Sequence, residues 1–406
     1  MSKRGKLLIR TFPPNRNPNP GGILQAFALQ RVLSALGADV VTDGTKTNHR
    51  SRPPVLPRSE RLRRRISARL RPKLDKDRKA ALAKVNSRVL SFGRREIDQR
   101  PLYSGRVADS GLVAWADAFV VGSDQVWNPR YCDVPSFLLD FLDEDDPRPR
   151  VAYAASFGSD DPGFDSALIA ETAPLAARLT AVSVREESAV RLCREYWGLE
   201  AVRLIDPTML LEPDAYRAVY EATTDPALPA GGLAVYLLDR TEEKRSSAKH
   251  LGETYGVERS LWADEPPSTA ALRTRPADHM RPTVEEWLRT IDVSDAVLTD
   301  SYHGAVFSIL FNRPFLVFPN PKRGVARFDT LLGIFGLGDR IARGDGRDVE
   351  RMSAPIDWAT VNALITDERA RAIAFLRGAL AAELGAGSAP SVGVSAGEDI
   401  RGIHDQ

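Results

Sequence analysis

The sequence is expected to fold as an α/β protein of two successive modules, each a parallel sheet covered by helices. Three observations lead there. Apolar runs of strand length alternate with helix-length patterns along most of the chain. A stretch rich in proline and glycine, Pro226-Ala227-Leu228-Pro229-Ala230-Gly231-Gly232, interrupts that alternation near the middle. The 406 residues suffice for two or three domains of ordinary size.

The first module opens with a short strand at residues 5–9. A turn rich in Pro and Asn, Pro13 to Pro20, leads through Gly21-Gly22 into a helix from Ile23 to Leu33, where Leu29, Val32 and Leu33 recur at helical spacing. Gly37 stops that helix, and Asp39 to Thr42 reads as the second strand of a βαβ unit. Residues 51–110 read as a basic, mostly helical insertion whose early part is broken by Pro53, Pro54, Pro57 and Pro72. The sheet resumes at Asp117 to Gly122 and continues with strands at Val151 to Ala155, Val182 to Val184 and Val202 to Ile205, with a helix over 186–196. This module is expected to cover residues 1–225.

The second module, residues 232–384, starts with a strand at Ala234 to Leu238. A helix over 243–254, a strand near 257–262, a helix from Val284 to Ile291 and a buried strand from Ala296 to Thr299 follow. A helix from Ala305 to Phe311, a strand from Phe315 to Phe318 and a last helix over 366–384 complete it. Residues 385–406, made of Gly, Ser, Ala and charged residues, read as a disordered tail. In such a pair of modules, ligands are expected in the cleft at the carboxyl ends of the strands.

Composition narrows the function classes. The formal net charge is only +2, which gives a nucleic-acid partner little support. Residues 51–110 nevertheless hold 18 Arg or Lys against 6 Asp or Glu, a local excess suited to phosphates or to peripheral contact with a membrane surface. A solvated helical insertion explains the same charges. Cys132 and Cys193 match no metal-ligand spacing, and reduced thiols of a cytoplasmic protein suit them. The start is basic, but Leu7-Leu8-Ile9 is too short for the apolar region of a signal peptide. No run approaches the ~20 apolar residues that a transmembrane segment needs.

Five segments carry candidate chemistry. Asn19-Pro20-Gly21-Gly22 precedes a helix, where exposed N–H groups suit an anion or a close backbone approach; a tight turn is the alternative. It is not a dinucleotide fingerprint. Gln25, in the first turns of that helix, is within reach of a ligand. In Val121-Gly122-Ser123-Asp124-Gln125-Val126-Trp127-Asn128, a strand delivers small and polar residues and then an aromatic. Ser123, Asp124 and Gln125 would fix hydroxyls and Trp127 would stack on a sugar or base, unless the segment is simply a capped helix start. Arg185 follows a strand, where a guanidinium can clamp a phosphate or carboxylate or pair with a surface Glu.

The fourth segment is Thr299-Asp300-Ser301-Tyr302-His303-Gly304. Of five histidines, His49, His250, His279 and His404 lie in polar or loop stretches, whereas His303 ends an apolar strand. Imidazole serves as acid or base near neutrality, and a structural histidine at a helix start is the other reading. Ser301 and His303 lack the G-x-S-x-G elbow of a serine hydrolase. No Cys, His or acid cluster has metal-ligand spacing, so no metal and no cofactor are expected. The fifth segment, Arg323 to Arg327 after a strand, offers cations for a phosphate, with Arg327 favoured.

Taken in order, these segments resemble the polysaccharide pyruvyl transferase family. The likeness rests on Gly21-Gly22-Ile23-Leu24-Gln25-Ala26-Phe27-Ala28-Leu29-Gln30, on Gly122 to Asn128, and on Tyr153-Ala154-Ala155-Ser156-Phe157-Gly158. It rests further on Ser183-Val184-Arg185-Glu186-Glu187, Asp206-Pro207-Thr208, Thr299 to Gly304, and Arg327-Phe328 with Leu331-Leu332. These blocks span about residues 19–340, and the basic insertion falls outside them. The resemblance implies two Rossmann-like domains in a GT-B-like arrangement. It implies transfer of the three-carbon unit of phosphoenolpyruvate to hydroxyls of a sugar, polysaccharide precursor or lipid-linked saccharide, giving a pyruvate ketal. His303 matches the family's proposed general acid and Arg185 its donor-binding arginine. Ser301 stands where some members carry a second donor-binding arginine. Asp124 or Asp300 would take the acceptor's proton. The alternatives are a nucleotide-sugar glycosyltransferase on the same fold, transfer to an acceptor outside polysaccharides, and a non-catalytic saccharide-binding protein.

Overall fold

The computed structural model describes residues 4–14, 18–45, 72–104, 107–223, 230–239, 241–256, 258–261, 280–319 and 325–384. The first part of the basic insertion (51–71), the turn 320–324 with Arg323, and the tail 385–406 lie outside the described residues.

Two open parallel sheets, each flanked by helices, form two Rossmann-like units in a GT-B-like arrangement. The first is built from β1 (Lys6–Arg10), β2 (Asp39–Asp43), β3 (Gln99–Arg100), β6 (Ala118–Asp124), β7 (Arg150–Ala155), β8 (Ala181–Val184) and β9 (Val202–Arg203). The order is β3-β2-β1-β6-β7-β8-β9, and a small antiparallel pair, β4 (Tyr103–Ser104) and β5 (Val107–Ala108), stands beside it. The second contains β10 (Leu233–Tyr236), β11 (Glu258–Ser260), β12 (Ala296–Thr299) and β13 (Phe315–Val317) in the order β11-β10-β12-β13. Every pairing within these two sheets is parallel. The central strands are buried on both faces and therefore read as continuous apolar runs rather than as alternation.

Strand order locates the cleft. The chain runs from β1 out to β2 and then returns to place β6 on the other side of β1, so the first sheet has a switch point between β1 and β6. The second repeats the device between β10 and β12. The carboxyl ends at these two points are Asp124 of β6 and Thr299 of β12, which belong to two of the candidate segments.

Several elements differ from the sequence expectation for identifiable reasons. The first helix begins at Pro20 rather than Ile23, because the Asn19 side chain accepts the Gly21 N–H and Pro20 fits the first helical position. Thirteen of its sixteen residues are buried, since it lies between the first sheet and the segment 207–210 instead of facing water. Within residues 51–110, the helices Pro72–Val85 and Ser87–Glu96 are present, but β3 joins the sheet edge beside β2. Gln30 secures that edge by bonding Thr42 Oγ1 and both backbone groups of Asp98 at 2.9 Å each. The helix expected from Ala305 starts at Tyr302, with Ser301 as its cap. The last helix, Trp358–Ala379, was grouped with the second module by its position in the sequence. It packs on the first: Arg369 donates to the carbonyls of Met209 (3.0 Å) and Leu211 (3.2 Å), and Arg203 pairs with Glu368.

The largest core is continuous across both units. A relay of rings crosses it: Phe92 on Phe27, Phe27 on Tyr216, Tyr216 on Phe307, Phe307 on Trp287 and Trp287 on Tyr236, with centroids 4.9–6.4 Å apart. Edge-to-face and tilted pairs of this kind add to burial and fix the relative placement of the elements that carry them. Phe307 sits in the middle of the relay and is fully buried. Phe307→Ala is therefore expected to lower the unfolding free energy by about 3–5 kcal/mol. Denaturant unfolding of this variant should remain one transition, because both units share the damaged core.

Candidate active site

The site is built on the buried carboxylate of Asp206, which follows β9 and is 0% exposed. Its Oδ1 accepts the Thr208 N–H (3.0 Å) and the Thr208 hydroxyl (2.7 Å), the local turn that Asp before Pro favours. Its Oδ2 faces the rest of the site. It accepts from Arg185 Nη1 at 2.7 Å and from Gln25 Nε2, and His303 Nε2 stands 3.6 Å away. Burial raises the Asp206 carboxyl, but His303, Arg185 and Thr208 outweigh it and hold the group well below the usual carboxylate range.

Each partner comes from a different element. Arg185 leaves the end of β8 and is 2% exposed. Burial disfavours its charge, yet Tyr302, Asp206, Asp124 and Glu186 leave its pKa above the ordinary value, so it is a permanent cation. Its Nε and Nη2 have no hydrogen-bond partner; Glu186 and Asp124 lie 3.9 and 3.8 Å off. Glu186 is held by the Ser156 hydroxyl and the N–H groups of Phe157 and Gly158. Gln25 also donates to Ser123 Oγ at 2.9 Å, and Ser123 donates to the Ala154 carbonyl. The turn that presents Ser123 and Asp124 needs Gly122: its φ is +148°, and a Cβ there would lie 2.1 Å from the Tyr153 carbonyl oxygen.

His303 arrives from the second unit. It lies in the first turn of the Tyr302–Leu310 helix and is 5% exposed. The start of the first helix packs directly on its ring: a Cβ on Gly21 would come within 2.2 Å of the imidazole. Only glycine permits that approach, while Gly22 is buried in the same turn. Tyr302 carries its ring between the two units. The Arg185 guanidinium lies over it at 4.4 Å and that of Arg327, from the Ala326–Ile334 helix, at 5.8 Å. Burial, followed by the nearby Arg185, lowers the Arg327 pKa. Two buried cations thus face one ring, and three carboxylates, Asp206, Asp124 and Glu186, stand around Arg185.

The structure thus gathers Gly21, Gln25, Ser123, Asp124, Arg185, His303 and Arg327, and it separates other candidates from them. Trp127 is fully buried against Phe157 and Trp197, with centroids 5.4 and 5.0 Å away, and has no face left to stack on a ligand. Asp300 does not offer a base: Leu238 N–H (2.6 Å), Asp239 N–H (3.2 Å) and Lys244 Nζ (2.7 Å) occupy it, and burial still raises its pKa. Gln125 accepts from Asn128 at 3.2 Å. Ser301 accepts the Gly304 N–H as the helix cap. Asp206 and Tyr302, central here, were not chosen from the sequence as site residues. In the sequence Asp206 enters only with Pro207 and Thr208 as one block of the family likeness, and the turn it makes with Thr208 accounts for only one of its two oxygens.

Gly21→Ala should displace the His303 ring, at a packing cost of about 1–3 kcal/mol. A loss of at least about tenfold in turnover is the expected kinetic outcome, with the thermal midpoint lowered by a few degrees. Among the described residues no group of His, Cys, Asp and Glu is arranged to hold a metal, and no helix is long and apolar enough to cross a membrane.

The solved structures similar to this chain include UDP-N-acetylglucosamine 2-epimerase from Rickettsia bellii (TM-score 0.47, 10% identity, covering 92% of this chain and 98% of that one). Anabaena HepE in complex with UDP and glucose is also similar (TM-score 0.45, 11% identity, 94% and 99% covered), as is S. aureus MnaA with UDP (0.43, 11%, 91% and 90%). A search of curated proteins returns no match. The sequence model of polysaccharide pyruvyl transferases matches residues 19–322, a span that holds Gly21, Gln25, Asp124, Arg185, Asp206 and His303, and the chain belongs to the polysaccharide pyruvyl transferase family.

Proposed function

We propose that this pyruvyl transferase takes its three-carbon unit from phosphoenolpyruvate and delivers it to two hydroxyls of a saccharide. The observation that supports this reading is the pair of buried guanidiniums at Tyr302, with Arg185 Nε and Nη2 lacking acceptors. Phosphoenolpyruvate carries a phosphate and a carboxylate on adjacent positions, and two arginines suit such a compact anion better than one. Arg185 and Arg327 bind these groups and offset their charge as the reaction proceeds.

The chemistry then needs a proton for carbon and a sink for a hydroxyl proton. The first acceptor oxygen attacks the central carbon of the donor while protonated His303 gives its proton to the methylene carbon, which becomes the methyl group. Asp124, at the end of β6 and 3.8 Å from Arg185, takes the proton of that hydroxyl. Asp300 is excluded from this role by its three donors. The second hydroxyl displaces phosphate, its proton leaves with the phosphate, and the ketal closes.

Phosphate release from phosphoenolpyruvate with a panel of saccharides, read with the mass of the product, tests the donor and the acceptor together. His303→Gln is expected to lose about 100-fold or more in turnover while its thermal midpoint holds. Arg185→Lys keeps the charge but loses the fork, and should raise the KM for phosphoenolpyruvate at least about tenfold. Turnover of a nucleotide sugar with no phosphate released from phosphoenolpyruvate would replace this donor.

A further inference from the structure

A buried carboxylate beside a proton donor can act on it in two ways. It can accept the donor's hydrogen bond, or it can act as a charge alone. The choice depends on whether its oxygens have capacity left. An ionised carboxylate offers about four lone-pair sites, and four donors already occupy Asp206. Thr208 N–H and Oγ–H are on Oδ1; Arg185 Nη1 and Gln25 Nε2 are on Oδ2. His303 Nε2, at 3.6 Å, is outside hydrogen-bonding distance and inside ion-pair distance. It has no hydrogen-bond partner among the described residues.

We propose that Asp206 is the positioning residue of this site, acting as counter-ion to protonated His303 while leaving the Nε2 proton free for the substrate. The inference rests on the reading of His303 as proton donor. The surroundings of His303 support it element by element. The first helix presents Gly21 and Gln25, neither of them ionisable. The end of β8 presents Arg185, and the Ala326–Ile334 helix presents Arg327, both over Tyr302. The neighbouring Tyr302 ring is 5.4 Å from the imidazole. The two cations thus stand at the Tyr302 ring beside the imidazole, and Asp206 is the carboxylate paired with it among the described residues. The same carboxylate holds Arg185, so one anion sets the acid of the second unit in register with the donor arginine of the first.

The test compares Asp206→Asn, which keeps size and acceptor but loses charge, with Asp206→Glu, which keeps charge. For a reaction that needs a proton donor, kcat falls as pH rises and the acid is lost. An anion favours the protonated ring, so its removal moves that fall to lower pH. In Asp206→Asn the limb is expected to move to lower pH, and kcat at pH 7 to drop at least about tenfold. The KM for phosphoenolpyruvate should change less than kcat, and Asp206→Glu should restore the limb to its wild-type pH. A limb that stays in place in Asp206→Asn while kcat and thermal midpoint fall together would show a merely structural carboxylate and overturn the proposal. Should Asp206→Asn fail to fold, Asp206→Ser carries the same comparison. NMR titration of the histidine rings without donor, with the His303 signal identified by its loss in His303→Gln, separates this inference from the donor assignment. An unmoved His303 titration in the Asp206 variant refutes the counter-ion. Absent phosphate release by wild-type enzyme with a moved titration refutes only the donor.

Discussion

Burying a carboxylate in a protein interior costs several kcal/mol unless charged and polar donors surround it. Asp206 is buried where the two units meet; its hydrogen-bond donors come from the first unit, and the His303 ring at ion-pair distance comes from the second. Gln25 must come from the first helix, Arg185 from the end of β8, Thr208 from the turn beyond, and His303 from the second sheet. None of these elements can shift without uncovering a charge. The requirement to neutralise one anion therefore specifies much of the geometry of the cleft, and the residues that satisfy it are those with chemistry to offer.

Apolar packing makes that arrangement durable. The relay of rings from Phe92 to Tyr236 and the return of the Trp358–Ala379 helix onto the first unit tie the two sheets into one core. With the sheets held, Asp124 at the end of β6 and Tyr302 after β12 both stand against Arg185. Here the polar groups are preorganised by neighbours that are themselves buried, as Glu186 is by Ser156, Phe157 and Gly158.

Much of the fold was legible because local rules carry it. Strands such as Ala296–Thr299 are short apolar runs bounded by turn residues, and helices such as Val284–Val293 show a buried stripe and a capping box. The misplaced boundaries had local signals that outweighed periodicity: Asn19-Pro20 and Ser301 are caps, and both helices start there. The site was legible in part. His303 stood out as a histidine beside an apolar strand, and Arg185 as a cation after one. Trp127 and Asp300 looked equally available, because an aromatic and a carboxylate next to a strand end carry no mark of what will cover them. Phe157 and Trp197 cover the first, and Lys244 with two backbone N–H groups covers the second.

By itself the sequence determined the order of strands and helices, the α/β class and membership of the pyruvyl transferase family. These follow from periodicity, turn chemistry and the order of short blocks, all of which are properties of neighbouring residues. Only the tertiary structure decided that Asp206 would gather Gln25, Arg185 and His303. Gln25 lies 181 positions from Asp206 along the chain. Contacts over that span depend on how two sheets pack, and no local pattern encodes them.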